Sequence, residues 1–339
     1  MLALKNRTPF AAAIVPGLDR EDYDTATVLV KGTFSLRSGA RRLPIADEQA
    51  PITRGDEHHG DPATSSIRRE SDTCPAKPGA DIVLTGHAYA PPRKAESVDV
   101  ALSVGRLRKV VRVFGDRRWF RAAGRFGISR PLPFDRMPLV YERAFGGADT
   151  SDPDPTNHVV ERRNPVGTGL STGQDEEQVE RVLLPNLEDP AQLIESPGDR
   201  PPPAGFGVIG RAWLPRALHA GTYDDAWRAE RFPFLPADFD ERYHQAAHPD
   251  LIAPAPLAGG EPVVVQNASE LGELRFSVPD VRLTITTRIK GVKRDHVPRL
   301  DTLHIEPDER RVVACFRITF RCPRSFLYLE EVLIREAAR

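Results

Sequence analysis

The amino-acid sequence predicts a mainly β protein, a β-rich α+β chain. It should hold antiparallel sheets in sandwich-like lobes, a long Pro- and Gly-rich irregular middle, and few short helices. Three observations carry this expectation. Between Lys77 and Trp119, three β-type runs are separated by Pro- and Gly-bearing turns and read as a meander. From Val263 to Phe320, β-branched and apolar residues recur in short runs between turn signals. Proline is abundant, 32 residues with 25 glycines in 339, against a usual proline share of about 5%. Long helices are disfavoured by that content, because proline removes a backbone donor and clashes with the preceding turn.

Taken in order, Phe10 to Val15 is a short apolar run ended by Pro16-Gly17. Thr25 to Leu36 is a long β-branched strand with Gly32 at a bulge position. Residues 46–79, rich in Asp, Glu, Ser and Pro, read as one long loop, and loops of that length often carry function or contact a partner. The meander follows, with runs at Ile82 to Ala90, Val98 to Val104 and Lys109 to Phe114. From about Arg130, prolines interrupt the chain every few residues and helix candidates are short: Asp175 to Val182, Tyr223 to Glu230, and Pro236 to Ala247. The last has early acidic residues, which favour a helix N-terminus. Strand patterns return at Val263 to Gln266, Glu273 to Val278, Arg282 to Ile289, Thr302 to Ile305 and Val312 to Phe320. Pro307-Asp308-Glu309-Arg310 predicts a hairpin turn between the last two, and Leu327 to Ile334 reads as a final strand. This divides the chain into a β-rich segment 1–130, a Pro/Gly-rich segment 131–255 with short helices, and an antiparallel β segment 256–339. Two lobes and one large sandwich both fit that division.

Charge is balanced: 47 basic against 48 acidic residues leave a net charge of -1. That removes the electrostatic reason to expect nucleic acid or an anionic membrane as partner. Cys74, Cys315 and Cys322 are an odd set without Cys-x-x-Cys spacing, which points to a reducing compartment and neither a disulfide framework nor a zinc site. The first residues lack a basic stretch followed by an apolar core, and no apolar run reaches the ~18 residues of a membrane helix. The expected location is cytoplasmic.

The motifs that suggest chemistry fail in context. Gly205-Phe206-Gly207-Val208-Ile209-Gly210 spells the dinucleotide fingerprint, yet Pro201-Pro202-Pro203 precede it where a central strand is required. Pro215 also breaks the segment after it, so a Gly-rich loop is expected. Asp56-Glu57-His58-His59-Gly60-Asp61 is dense in metal-ligand types, but adjacent histidines on extended chain point to opposite sides. No nucleophile motif occurs; Cys315 sits in an apolar run as a small core residue, Cys74 lies in the polar loop without a motif partner, and His87 reads as structural. No catalytic residue, metal ligand or cofactor is assigned.

A different signal comes from charged residues set beside Gly, Pro or aromatics in compact clusters. On these the chain resembles the DUF2169 family found with bacterial type VI secretion loci. The matching positions are Lys77-Pro78-Gly79-Ala80-Asp81 with Gly86, Gly115-Asp116-Arg117 with Trp119, and Tyr141-Glu142-Arg143-Ala144-Phe145-Gly146-Gly147. They continue with Asn164-Pro165-Val166-Gly167, Leu184-Pro185-Asn186-Leu187-Glu188, Gly205-Phe206-Gly207 with Trp213 and Arg216, Tyr223-Asp224 with Trp227, and Phe232 to Pro236 leading to Asp238 and Phe239. The resemblance implies a non-enzymatic cytoplasmic adaptor or chaperone that helps load an effector onto the secretion spike, through a PAAR-type tip or the VgrG trimer. It carries over no catalytic residue. The rival expectations are a structural component of the secretion apparatus and a hydrolase of carbohydrate or peptide. The cluster residues are expected to pin turns and strand ends, or else to shape a groove for a partner.

Overall fold

The structure is a computed structural model and describes residues 2–40, 42–90, 94–150, 152–172, 176–323 and 325–337. Among the described residues it is mainly β, with three larger sheets, several two-stranded ribbons and two short α-helices, Glu176–Arg181 and Asp225–Glu230.

The six-stranded sheet has the order Ile252–Ala253, Ala80–Leu84, Arg299–Glu306, Arg311–Arg321, Asp24–Ser35, Ala11–Leu18. All neighbours are antiparallel except Ala80–Leu84 with Arg299–Glu306. The Pro307–Arg310 hairpin forms as expected, closed by Arg310 N–H to Pro307 O at 3.0 Å. A five-stranded sheet runs Leu187–Glu188, Leu107–Phe114, Ser97–Val104, Pro262–Gln266, Leu274–Ser277. A four-stranded sheet runs Ala3–Asn6, Leu329–Glu336, Leu283–Ile289, Val292–His296. Strand pairs cross both sequence boundaries: Asp24–Ser35 pairs with Arg311–Arg321, and Ser97–Val104 with Pro262–Gln266. One hydrophobic core extends from Phe10 to Ile334 and draws on all three sheets.

Several expectations change. The 77–119 stretch is not one meander: Ala80–Leu84 joins the six-stranded sheet, while Ser97–Val104 and Leu107–Phe114 form a hairpin in the five-stranded one. Local periodicity identifies strands but not their neighbours, and this strand's parallel partner lies more than 200 residues away. Gly32 is no bulge, since Gly32 faces Ala314 in unbroken register. A Cβ there would lie 3.0–3.1 Å from the Phe34 and Phe10 rings, so the small residue makes room for two aromatics. Pro236 to Ala247 is not a helix; only the 3-10 turn Glu241–His244 forms, capped by Asp240. Asp238, read as a helix starter, instead binds the Thr222 amide at 2.9 Å and hydroxyl at 2.8 Å, which ties the segment to another loop. Cys74, although set in the polar loop, is buried.

Candidate functional site

Side chains alternate across a strand, so register fixes which residues share a face. In the six-stranded sheet, Asp81, Thr302, Cys315 and Lys31 stand opposite one another in a row across four strands. The next row is Val83, His304, Val313 and Thr33, and beyond it Glu306 faces Arg311. The alternate face carries Ala26, Val28, Val30 and Phe316 into the main core. One face of this sheet is therefore apolar and the other is charged. Segment 50–72 covers the charged face, and between them lies a cleft of about 230 Å³.

The cleft is built from interlocked ion pairs. Lys31 Nζ binds Asp72 Oδ2 at 2.7 Å and Thr53 Oγ1 at 2.9 Å. Arg317, 2% exposed at its side chain, pairs with Asp301 and donates to the Asp72 carbonyl. Asp301 is the extra residue where the register shifts between Leu300 and Thr302, so a bulge sets its carboxylate against Arg317. Lys77 Nζ binds Asp81 Oδ2 at 2.5 Å and lies 3.7 Å from Glu70, which also pairs with Arg216. Arg216 donates further to the Tyr243 and Ile209 carbonyls at 2.8 and 2.9 Å. At the mouth, Glu306 receives Arg69 and Arg311, each at 2.5 Å.

These pairs set the protonation states. Burial works against the Glu306 carboxylate, but His304, Arg311 and Arg69 outweigh it and hold it at about 2. Burial likewise opposes Glu70 and Asp72, and the neighbouring Lys77, Arg216, Lys31 and Arg317 keep both below the usual carboxylate range. Lys77 is held above the ordinary lysine range, because Asp81 more than offsets its burial. Burial, reinforced by Asp72, pushes the Cys315 thiol up to about 12. His304 is driven down to about 4 by burial, with Glu306 opposing and Arg69 and Lys31 adding to the effect. Burial pushes the Asp301 carboxyl up, with Arg317 and Lys77 opposing, while the other ion pairs surround a neutral imidazole and a protonated thiol at neutral pH.

The residues singled out in the sequence fall into three places. Lys77, Asp81 and Arg216 meet in this cleft. A second group closes around two asparagines: Asn164 Nδ2 binds the Tyr141 and Phe145 carbonyls at 2.7 and 3.0 Å. Asn186 joins Arg143 at 2.8 Å, Asp116 at 3.0 Å and the Phe114 carbonyl at 3.1 Å. Pro165 sits in the turn closed by Gly167 N–H to Asn164 O, and Gly146 and Gly147 lie against that turn. Gly147 needs its freedom: φ is +98° and a Cβ would sit 2.5 Å from the Gly167 carbonyl oxygen. Arg117 is buried against Glu188 and the Phe114 ring, and Glu142 holds the Ser66 amide and hydroxyl. Trp119 and Phe145 belong to a small second core with Leu170 and Ile194. Tyr141 is buried edge-on to Trp213. Gly86 abuts the Asp308 carboxylate. The third group is a loop unit, where Trp227 binds the Phe234 carbonyl at 2.9 Å beside Phe232, Pro236 is buried, and Phe239 packs on Tyr243.

Gly115 tests the second group. A Cβ there would fall 1.7 Å from the Leu132 carbonyl oxygen, and backbone cannot yield as a flexible side chain does. Gly115→Ala should cost about 1–3 kcal/mol in urea unfolding. An unchanged midpoint would mean that the strand end and the 132 loop do not meet as described.

Sequence reasoning missed Lys31, Glu70, Asp72, Asp301 and Arg317. A lone Lys in Thr25 to Leu36 and a lone Arg in Val312 to Phe320 were the available signals, because a charge on the buried side of a strand demands a partner. Gly205 to Gly210 is a loop: Gly205 packs on the Tyr141 ring, Phe206 O accepts from the Leu84 amide, and turns follow it. His58 binds the Ser65 carbonyl, and among the described residues no group of three or more His, Cys, Asp or Glu is placed to hold a metal ion. No described helix is long and apolar enough to cross a membrane.

A family model described as an uncharacterized protein conserved in bacteria (DUF2169) matches residues 21–317. No curated protein and no solved structure gives a significant match.

Proposed function

The chain belongs to the DUF2169 family, and from that premise we propose that it is a non-enzymatic, cytoplasmic adaptor of type VI secretion. It binds an effector or a spike component, a PAAR-type tip or VgrG, and presents it for loading.

The observation that carries this reading is a free sheet edge. Ala11–Leu18 is the outermost strand of the six-stranded sheet and pairs only with Asp24–Ser35. Among the described residues its outer backbone groups bond to no other strand. Ala11 to Val15 is an apolar, half-buried run, and Pro16 blunts only one end. Such an edge is a template for an extended segment of another chain, held by backbone hydrogen bonds whatever its side chains. The non-enzymatic reading is supported by the chemistry of the cleft, where Lys31, Lys77 and Arg317 are each paired with a carboxylate and the Cys315 thiol is raised by burial.

The test is a pull-down of the tagged full chain from cells that express the neighbouring PAAR, VgrG and effector proteins. Recovery of one of them in stoichiometric amount is expected, with loss of effector secretion on deletion. Recovery of none, with secretion intact after deletion, overturns the proposal.

A further inference from the structure

The edge strand Ala11–Leu18 offers its outer backbone groups in a pattern that the register determines. Within Asp24–Ser35, the Asp24 carbonyl accepts from Cys322 N–H, on the side of Arg311–Arg321. The Thr33 carbonyl accepts from Ala46 N–H on the opposite side, where Phe34 also bridges Ile45. Backbone groups alternate in direction along a strand, so even-numbered residues there face Arg311–Arg321 and odd-numbered ones face Ala11–Leu18. The pairing between Ala11–Leu18 and Asp24–Ser35 is unbroken and sets like parity opposite like. In the edge strand, Ala12, Ile14, Pro16 and Leu18 therefore turn their backbone groups outwards. Pro16 fits that set, because an edge proline keeps its missing donor on the solvent side.

Both ends of this outward row are restricted. The Phe10 carbonyl accepts from Asn6 Nδ2 at 2.6 Å, and the Phe10 amide donates to Thr8 Oγ1 at 3.3 Å. Pro16 has no N–H to give. Between them Ala12 and Ile14 each hold an outward donor and acceptor that meet no partner among the described residues. No charged residue occurs from Thr8 to Leu18, so the edge lacks the lysines that commonly keep such strands apart.

We propose that in the free protein a second copy of this chain occupies the edge, paired antiparallel about a two-fold axis at Ala13. Ala12 then stands opposite Ile14 of the second copy, and Ile14 opposite Ala12. Each such pair exchanges two hydrogen bonds, which satisfies every outward group of these residues. The remaining neighbours are Ala13 against Ala13 and Ala11 against Val15, so no like charges face each other and small side chains let the backbones close. An axis at Val15 would set Ile14 against Pro16 and leave both Ile14 carbonyls unpaired. The pairing is isologous, so it closes at two copies and leaves no further edge of this kind open. This deepens the adaptor reading, on which the role of the edge rests: cargo loads by displacing the second copy.

The experiment oxidises Ala13→Cys with diamide in the purified full chain and separates the products without reductant. Across the axis the two Cα atoms stand about 4.5 Å apart, within reach of a disulfide. Cys74, Cys315 and Cys322 are buried and do not compete. A linked dimer is expected from Ala13→Cys and none from Val15→Cys, whose opposite residue is Ala11. Ala12→Pro removes an N–H that the sheet does not use, so adding it to Ala13→Cys should abolish the linked species at an unchanged melting temperature. The parent chain should sediment as a concentration-dependent mixture of monomer and dimer. Four results overturn the proposal: a monomer at every concentration with no linked species, a link that survives Ala12→Pro, equal linking in Val15→Cys, or a lowered melting temperature in Ala12→Pro, which would turn that N–H into the sheet. A linked dimer with a failed pull-down keeps the pairing and removes the secretion role, whereas a captured partner on a strictly monomeric chain does the reverse.

Discussion

Arg317→Met lowers the melting temperature by about 10 °C, the largest effect expected of any single substitution in the cleft. The guanidinium is 2% exposed, pairs with the fully buried Asp301, and donates twice to the Asp72 carbonyl. Asp72 in turn holds Lys31 and accepts from the Cys315 thiol at 3.5 Å. Methionine fills comparable volume, so the loss is electrostatic: Asp301 is left charged or forced to protonate in a site with no access to bulk water. Breaking a buried pair from one side typically costs about 3–5 kcal/mol, whereas removing both partners costs far less. Arg317→Met with Asp301→Asn should therefore recover much of the loss, and a thermal melt of the three proteins distinguishes the cases. A single variant within about 2 °C of the parent would mean that water reaches the pair and that the cleft floor is open. The double variant also separates ion pairing from packing, since a packing defect would not be repaired by changing Asp301.

How much of this was legible in the sequence depends on the length scale of each feature. The Pro307–Arg310 hairpin, the strands around it and the short helices at 176–181 and 225–230 follow from residues adjacent in sequence. Lys77 and Asp81, four residues apart, were visible as members of one cluster, and the structure joins them directly. Arg216 and Glu70, which complete the same cluster, come from a proline-rich loop and a polar loop with no periodicity to place them. The charged face itself arises because four strands from residues 24–35, 80–84, 299–306 and 311–321 align in one register. No local pattern encodes that alignment; it is set by burying the apolar face on the other side. The false meander and the absent helix after Pro236 have the same origin, a local propensity overruled by distant contacts.

Acid should destabilise the protein before its carboxylates titrate, and three largely enclosed, half-buried histidines supply the reason. His304, His244 and His248 are each driven to about 4 by burial, against 6.5 in an unfolded chain. Around His304 the nearby Arg69, Lys31 and Arg311 add to the depression and Glu306 opposes it. Around His244, Lys77, Arg216 and Arg211 act with burial against Glu70, and at His248 Lys109 acts against Asp250 and Asp189. With the folded value below the unfolded one, the unfolded chain binds protons first as pH falls from 6.5 towards 4. Stability is complete above pH 6.5, declines through that window, and stops responding to these groups below about 4. Each histidine contributes up to about 3 kcal/mol at the low end, and the three together about 4–6 kcal/mol between pH 7 and 5. That is a large part of the roughly 5–15 kcal/mol that holds an ordinary domain folded. Glu306, held at about 2 against 4.5, extends the decline: its share is present above 4.5 and is lost as pH drops towards 2. Urea unfolding at pH 7, 6 and 5 should show the free energy falling with a slope approaching three protons. His304→Gln, which keeps a partner for the Thr85 hydroxyl, should reduce that slope by about one. Stability that stays flat from pH 7 to 5 would mean the imidazoles reach solvent, and an unchanged slope in His304→Gln would mean that the cleft His304 lines is open to water.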